Sequence, residues 1–169
     1  MATKKRRKRT SKEIPAKGRL RDMADRLWSI AVKGDWANRC AVCGSTSKLN
    51  AHHLIGRTHQ ATRYNLRNGM CLCPNHHQWD KQDTKYPFSA HGDARAFNKW
   101  LDRKHPALAA WVDETKENGE HRNFNGTTNA AYYIDIIQGL REYVEPEEFA
   151  TIVGVHFGEY LETLTGENQ

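Results

Sequence analysis

Cys40-Ala41-Val42-Cys43, then Ala51-His52-His53-Leu54-Ile55-Gly56-Arg57, then Asn68-Gly69-Met70-Cys71-Leu72-Cys73-Pro74-Asn75-His76-His77, hold all the cysteines of the chain and four of its nine histidines. Two thiolates three residues apart on a tight knuckle can both reach one tetrahedral ion, and Cys73-Pro74-Asn75-His76 repeats that spacing. A zinc site of Cys40, Cys43, Cys73 and His76 would pin a unit too small to be stable through its own core. Cys71 competes with His76 for the fourth place, because Cys71 and Cys73 face the same way on a strand. A disulfide framework fits less well, since the cysteines are clustered and nothing signals secretion.

The same stretch reads as strand, loop, strand and helix. Short strands are expected near Leu49–Leu54 and Gly69–Cys73, with an Arg-rich polar loop from Gly56 to Asn65 between them. Pro74 suits the first turn of a helix that would carry His76, His77 and Asp80. Adjacent residues of a strand point to opposite sides, so His52 and His53 are not expected to serve one ion as equals. The useful division is one ligand and one base. His52 would bind a divalent ion with His77, and His53, neutral near pH 7, would deprotonate an attacking water. The ion would polarise a phosphoryl oxygen and stabilise the leaving oxygen of a phosphodiester. A zinc ribbon or knuckle without catalysis has no need of His52, His53 and His77 beside its four ligands.

Charge points to the same substrate class. The 169 residues have a net charge of +6. Residues 1–105 carry 23 basic and 8 acidic side chains, whereas residues 106–169 carry 3 and 12. The basic part suggests a polyanion, nucleic acid first, and the acidic part should lie away from it or meet another protein. Residues 1–16 read as a disordered basic arm. Its Lys4, Lys5, Arg6, Arg7, Lys8 and Arg9 would touch phosphates without sequence preference, a solvated tail or a nuclear-import signal being the alternatives. Arg57, Arg63 and Arg67 flank the proposed site and are further phosphate candidates. No apolar run is long enough for a membrane span or an h-region, so a cytoplasmic protein is expected.

Farther out, Leu20, Met23, Ala24, Leu27, Trp28 and Ala31 recur at helical spacing over 17–33, with Gly34 as a stop. Phe97, Trp100 and Leu101 mark a second helix, and Pro106 opens a third with Leu108, Trp111 and Val112. Residues 17–116 are therefore read as one domain and the polar, Gly/Asn-rich residues 117–128 as a linker. Residues 129–169 read as a helical hairpin. One helix carries Tyr133, Ile136, Ile137, Leu140 and Val144; the other carries Phe149, Ile152, Val153, Phe157, Tyr160, Leu161 and Leu164. Its apolar stripe packs onto the finger or forms a homodimer. Trp28, Trp36, Trp79, Trp100 and Trp111 are expected in the core, and His59, His105, His121 and His156 are given no catalytic part.

The motifs quoted above resemble HNH endonucleases, in which a ββα-metal finger cuts DNA, and within them phage recombination endonucleases of the NinG type. The shared features are His-His followed by Gly-Arg, the Asn-Gly-x-Cys-Leu-Cys core, and Ser89-Ala90-His91 leading into a helix with Phe97 and Trp100. The resemblance covers about residues 38–101. It implies that His53 is the general base, that His52 and His77 are metal ligands, and that Asn68 holds the loop that orients the base. It also implies that Cys40, Cys43 and Cys73 bind structural zinc. Position 76 is more often Cys in zinc-bearing relatives, and position 52 is Asp in many. A histidine-based site resembles the nuclease colicins, although no delivery region accompanies it. His91 is a candidate third ligand, with Asp80 the alternative because Lys81 occupies the position four after His77. A helix-capping or surface role is the other reading of His91.

The expectation is thus an α+β protein: a zinc-stapled ββα-metal finger flanked by an N-terminal helix and a C-terminal helical hairpin. Its expected activity is hydrolysis of DNA, duplex or branched, with structural Zn²⁺ and one catalytic Mg²⁺, Mn²⁺, Ni²⁺ or Zn²⁺ ion. A non-catalytic zinc-dependent DNA-binding module is the rival.

Overall fold

The computed structural model describes residues 14–79 and 85–166. Lys4, Lys5, Arg6, Arg7, Lys8, Arg9, Asp80 and Lys81 lie outside the described residues. Helix α1 (Lys17–Asp35) buries Leu20, Met23, Ala24, Leu27, Trp28, Ala31 and Val32. Its apolar positions follow the 3.6-residue period, so one stripe can face a core. A knuckle at Cys40–Cys43 then leads into strand β1 (Asn50–His53), the one-turn helix α2 (Gln60–Arg63) and a 3-10 turn at Leu66–Asn68. Strand β2 (Gly69–Leu72) returns antiparallel to β1, with His52 opposite Met70 and His53 opposite Gly69.

Helix α3 (Pro74–His77) follows at once, with Pro74 in its first turn. It ends at His77, shorter than the sequence suggests. The chain comes back to it at the Ser-Ala-His segment, where the Ala90 and His91 N–H groups donate to the His76 and His77 carbonyls at 2.8 and 3.2 Å. Helices α4 (Ala94–Lys104) and α5 (Pro106–Glu117) come next, Asp93 capping α4 by accepting from the Ala96 N–H. A 3-10 turn at Glu120–Arg122 interrupts the expected linker. His121 is buried there, its ring 4.6 Å from that of His59 and its Nδ1 3.2 Å from the Thr115 carbonyl.

The C-terminal region is three helices rather than a hairpin: α6 (Ala130–Gly139), α7 (Pro146–Val153) and α8 (Val155–Gly166). Gly154, at φ +77°, breaks the apolar run that reads as one helix from 149 to 164. A positive φ is cheap only for glycine, so the break is written into the residue. The apolar stripe of Tyr133, Ile134, Ile137, Phe149, Ile152, Phe157 and Leu161 packs with Leu20, Leu27 and Trp28 in one cluster. That stripe, offered in sequence to the finger or to a second copy, packs with α1 and with Tyr64 of the finger. A second cluster joins Cys40, Val42, Met70, Leu72 and Cys73 to Phe88, Phe97, Trp100, Leu101 and Ala109. Trp79 departs from its expected place in the core and is 59% exposed. No helix among the described residues is long and apolar enough to cross a membrane.

Candidate metal centres and catalytic histidine

The knuckle and the start of α3 converge on one point. Cys40, Cys43, Cys73 and His76 bring their ligand atoms within 4.8 Å of one another. Cys43 Sγ stands 3.9 Å from Cys73 Sγ, and His76 Nδ1 stands 3.2 Å from Cys73 Sγ and 3.6 Å from Cys40 Sγ. A tetrahedral ion with bonds near 2.3 Å requires ligand separations of about 3.5–3.8 Å, so three thiols and an imidazole here fit zinc. Burial opposes ionisation of Cys40, but hydrogen bonds from the His76 side chain and neighbouring backbone outweigh it and bring the thiol down to about 6. Cys71 stands outside this group. It is wholly buried, and burial together with the nearby Cys40 pushes its thiol up to about 11, so it packs as a small apolar side chain. Between the two candidates for the fourth place, the geometry brings His76 to the cluster.

A second group gathers around His52 of β1, on the sheet face that also carries Met70. His52, His77 and His91 bring their ring nitrogens within 4.8 Å of one another, with ring centroids 4.8–5.4 Å apart. His91 arrives by way of the two backbone hydrogen bonds between its segment and α3. Burial, then the neighbouring His77 and His91, lowers the pKa of His52 to about 3. Burial, then His91, also lowers that of His77. Three imidazoles with their nitrogens converging are the donor set of a metal site that leaves further coordination positions open.

His53 points the other way, as alternation along β1 requires. Its ring stacks on Trp28 at a centroid separation of 3.8 Å and 13° between planes. Its Nε2 lies 3.0 Å from the Arg63 carbonyl oxygen. A carbonyl only accepts, so Nε2 carries the proton and Nδ1 of the neutral ring is left with its lone pair. Burial lowers the pKa to about 4, against the opposing effect of that hydrogen bond. His52 and His53 nevertheless both line one cavity of about 200 Å³, closed by Phe97, Asn98 and Leu101 of α4 and by Val112 and Lys116 of α5.

Asn68 is fully buried at the end of the 3-10 turn. Its Oδ1 accepts from the Ile55 N–H at 2.7 Å, and its Nδ2 donates to the Ile55 and Thr62 carbonyls at 2.9 and 3.0 Å. One side chain thereby closes both ends of the loop whose last residue supplies the partner of His53.

The three arginines part company. Arg57 is exposed. Arg67 lies 5.3 Å from the Trp111 ring centroid and donates to the Ala107 carbonyl at 3.3 Å. The guanidinium of Arg63 is engaged inside the protein, on Asp25 at 2.7–3.1 Å and on the Arg57 carbonyl at 2.8 Å. Asp25, Lys116 and the stacking part of Trp28 carry no motif and escape a reading of the sequence; only helical periodicity places Asp25 and Trp28 one turn apart. A larger groove of about 1200 Å³ lies between the end of α1 and α7–α8, but Glu142, Glu145, Glu148, Glu159 and Glu162 line it and make it a poor seat for a polyanion.

No curated protein and no solved structure matches the chain. Residues 40–83, which carry both halves of the Cys₃His cluster together with His52, His53, Asn68 and His77, match the family model of HNH endonucleases.

Proposed function

We propose that this protein is a metal-dependent DNA endonuclease in which His53 is the general base. One observation carries the reading: neighbouring histidines of β1 serve opposite groups and still meet at one cavity. His52 joins His77 and His91, while His53 is held by Trp28 and the Arg63 carbonyl with Nδ1 open. His52, His77 and His91 would hold a divalent ion, which when bound supplies charge against a phosphoryl oxygen and the leaving oxygen. His53 Nδ1 would accept the proton of the attacking water, and its Nε2–H would stay on the Arg63 carbonyl as the ring becomes an imidazolium. Cys40, Cys43, Cys73 and His76 would hold zinc and fix β1, β2 and α3 relative to one another. Asn68 would act through the loop.

Of the three arginines flanking the site, exposed Arg57 and Arg67 would meet phosphates, with the Lys4–Arg9 segment as a further candidate. Branched recombination or replication intermediates as substrates rest on the sequence resemblance to phage recombination enzymes, and nicking of ordinary duplex is the neighbouring activity. The test is cleavage of supercoiled plasmid and of a four-way junction with Mg²⁺, Mn²⁺, Ni²⁺ or Zn²⁺. Wild type and His53→Ala would be compared, with zinc content and DNA binding followed in both. Cutting lost in His53→Ala with zinc and DNA retained is the expected result. No cutting by a folded, zinc-loaded, DNA-binding wild type would favour a binding module instead.

A further inference from the structure

We infer that Asp25, on α1 and outside the segment matched to the HNH family, is a positioning residue for His53. The inference rests on the nuclease reading above for its consequence in activity, but its geometry stands alone. The group that orients His53 is the carbonyl of Arg63, the last residue of α2. The last carbonyls of a helix have no partner within it, which leaves this one free to accept from Nε2. A helix of one turn has little ability to hold its own direction, however, so something else must fix that carbonyl.

Asp25 does so from both sides. The carbonyl belongs to the peptide unit between Arg63 and Tyr64, and the side chains of both residues end on the same carboxylate. Arg63 donates from Nε at 3.1 Å and from Nη2 at 2.8 and 2.7 Å, while the Tyr64 hydroxyl donates to Oδ1 at 2.9 Å. The Arg63 side chain is 11% exposed and that of Asp25 37%, so solvent screens the fork only in part, and its bidentate geometry fixes the guanidinium. Three residues further along α1, and so on the same helix face, Trp28 stacks on the His53 ring and donates from Nε1 to the Asn65 carbonyl at 3.3 Å. One turn of α1 therefore holds the ring by its face and, through Arg63, by its edge. On this account the catalytic unit is the finger plus α1, and a finger cut from the chain lacks the parts that aim its base.

The experiment uses the full-length, zinc-loaded chain and compares wild type, Asp25→Asn, Arg63→Lys, Tyr64→Phe and the Asp25→Asn/Arg63→Lys double variant. Two readouts are taken: single-turnover cleavage with DNA affinity, and the His53 tautomer from imidazole ¹⁵N shifts at a fixed pH. Asp25→Asn is expected to lower the cleavage rate ~10- to 100-fold, in the range of a mispositioned catalytic group, with DNA affinity unchanged. It is also expected to dilute the Nε2-protonated form of His53. Arg63→Lys should do the same, and the double variant should be no worse than either, because all act through one carbonyl. Tyr64→Phe, which removes one hydroxyl, tests the same peptide unit if Asp25→Asn fails to fold. Rates and tautomer within twofold of wild type in the folded variants overturn the inference, as do losses that multiply in the double variant. Were wild type to cut no DNA in any metal, the nuclease reading would fall, and the tautomer comparison would still decide what Asp25 does.

Discussion

His53 and Asn68 show how much at this site depends on burial. Because His53 is held neutral with its pKa lowered to about 4, the folded protein binds fewer protons than the unfolded chain between that value and the ordinary 6.5. Its contribution to stability is therefore complete above about pH 6.5 and is lost as pH falls toward 4. His53→Phe keeps an aromatic face for Trp28 but removes the titration. Thermal melts of the two proteins should converge as the pH drops through that window, by on the order of 2 kcal/mol after allowance for solvent screening. A separation that does not change with pH would refute this account. Asn68→Ala should cost ~2–4 kcal/mol in denaturant unfolding, since it leaves the Ile55 N–H and the Ile55 and Thr62 carbonyls without their buried partner. Asn68→Asp should also destabilise, because a carboxylate accepts from Ile55 but cannot donate to either carbonyl. The candidate ligand residues were legible because metal chemistry limits both residue type and spacing. Asp25 was not, since a lone carboxylate on a helix resembles any solvated charge until the fold brings Arg63 to it.

Elements were legible to the extent that local rules govern them. Period and punctuation set α1, Pro74 and Pro106 open helices where proline is tolerated, and alternation puts His52 and His53 on opposite sides of β1. Local rules fail where the chain meets itself at a distance. The return of Ser89-Ala90-His91 to α3 has no local signature, and nothing in residues 117–128 announces that His121 packs beside His59. The contact between α1 and β2 is of this kind too. A Cβ built on Gly69 would come within 2.2 and 2.8 Å of the Val32 methyls and 3.1 Å of the Leu66 carbonyl oxygen. Val32 is β-branched and fixed in a helix, so it has no rotamer with which to retreat. Gly69→Ala is expected to destabilise the protein by ~1–3 kcal/mol in urea unfolding. Placed in a Val32→Ala background, the same change should cost clearly less. Equal costs in the two backgrounds would mean that α1 does not press on β2 at this point. Cleavage is a second readout, because Gly69 stands opposite His53 in the sheet.

At the scale of the whole molecule, α1 joins two clusters of different origin. One is an ordinary apolar core of α1 with α6, α7 and α8; the other is gathered around Cys40 and Cys73 and includes Phe88, Phe97 and Trp100. Sequence periodicity supplied the apolar faces of both but not their pairing, because a stripe of Tyr133, Ile137 and Phe149 says that it will be buried without saying on what. The clusters should respond differently to loss of the proposed zinc. A Cys₃His site contributes about 10 kcal/mol or more to the unit it closes, whereas the helical core needs no metal. Removing zinc with a strong chelator, or replacing Cys73 with Ser, is thus expected to release the finger first. Hydrogen exchange should accelerate at the knuckle and α3 amides that bond the Ser45, Cys71 and Cys73 carbonyls, those of Cys40, Ala41 and His77. Amides in the middle of α1 and α6 should keep most of their protection. The Trp28–His53 stack lies on the boundary, so the His53 tautomer should scramble along with the finger even though Trp28 stays buried in the other core. Uniform loss of protection through α6 and α8 would show instead that the two clusters fold as one cooperative unit. Unchanged exchange in the finger would show that its four converging side chains need no ion to hold β1 and β2 in place.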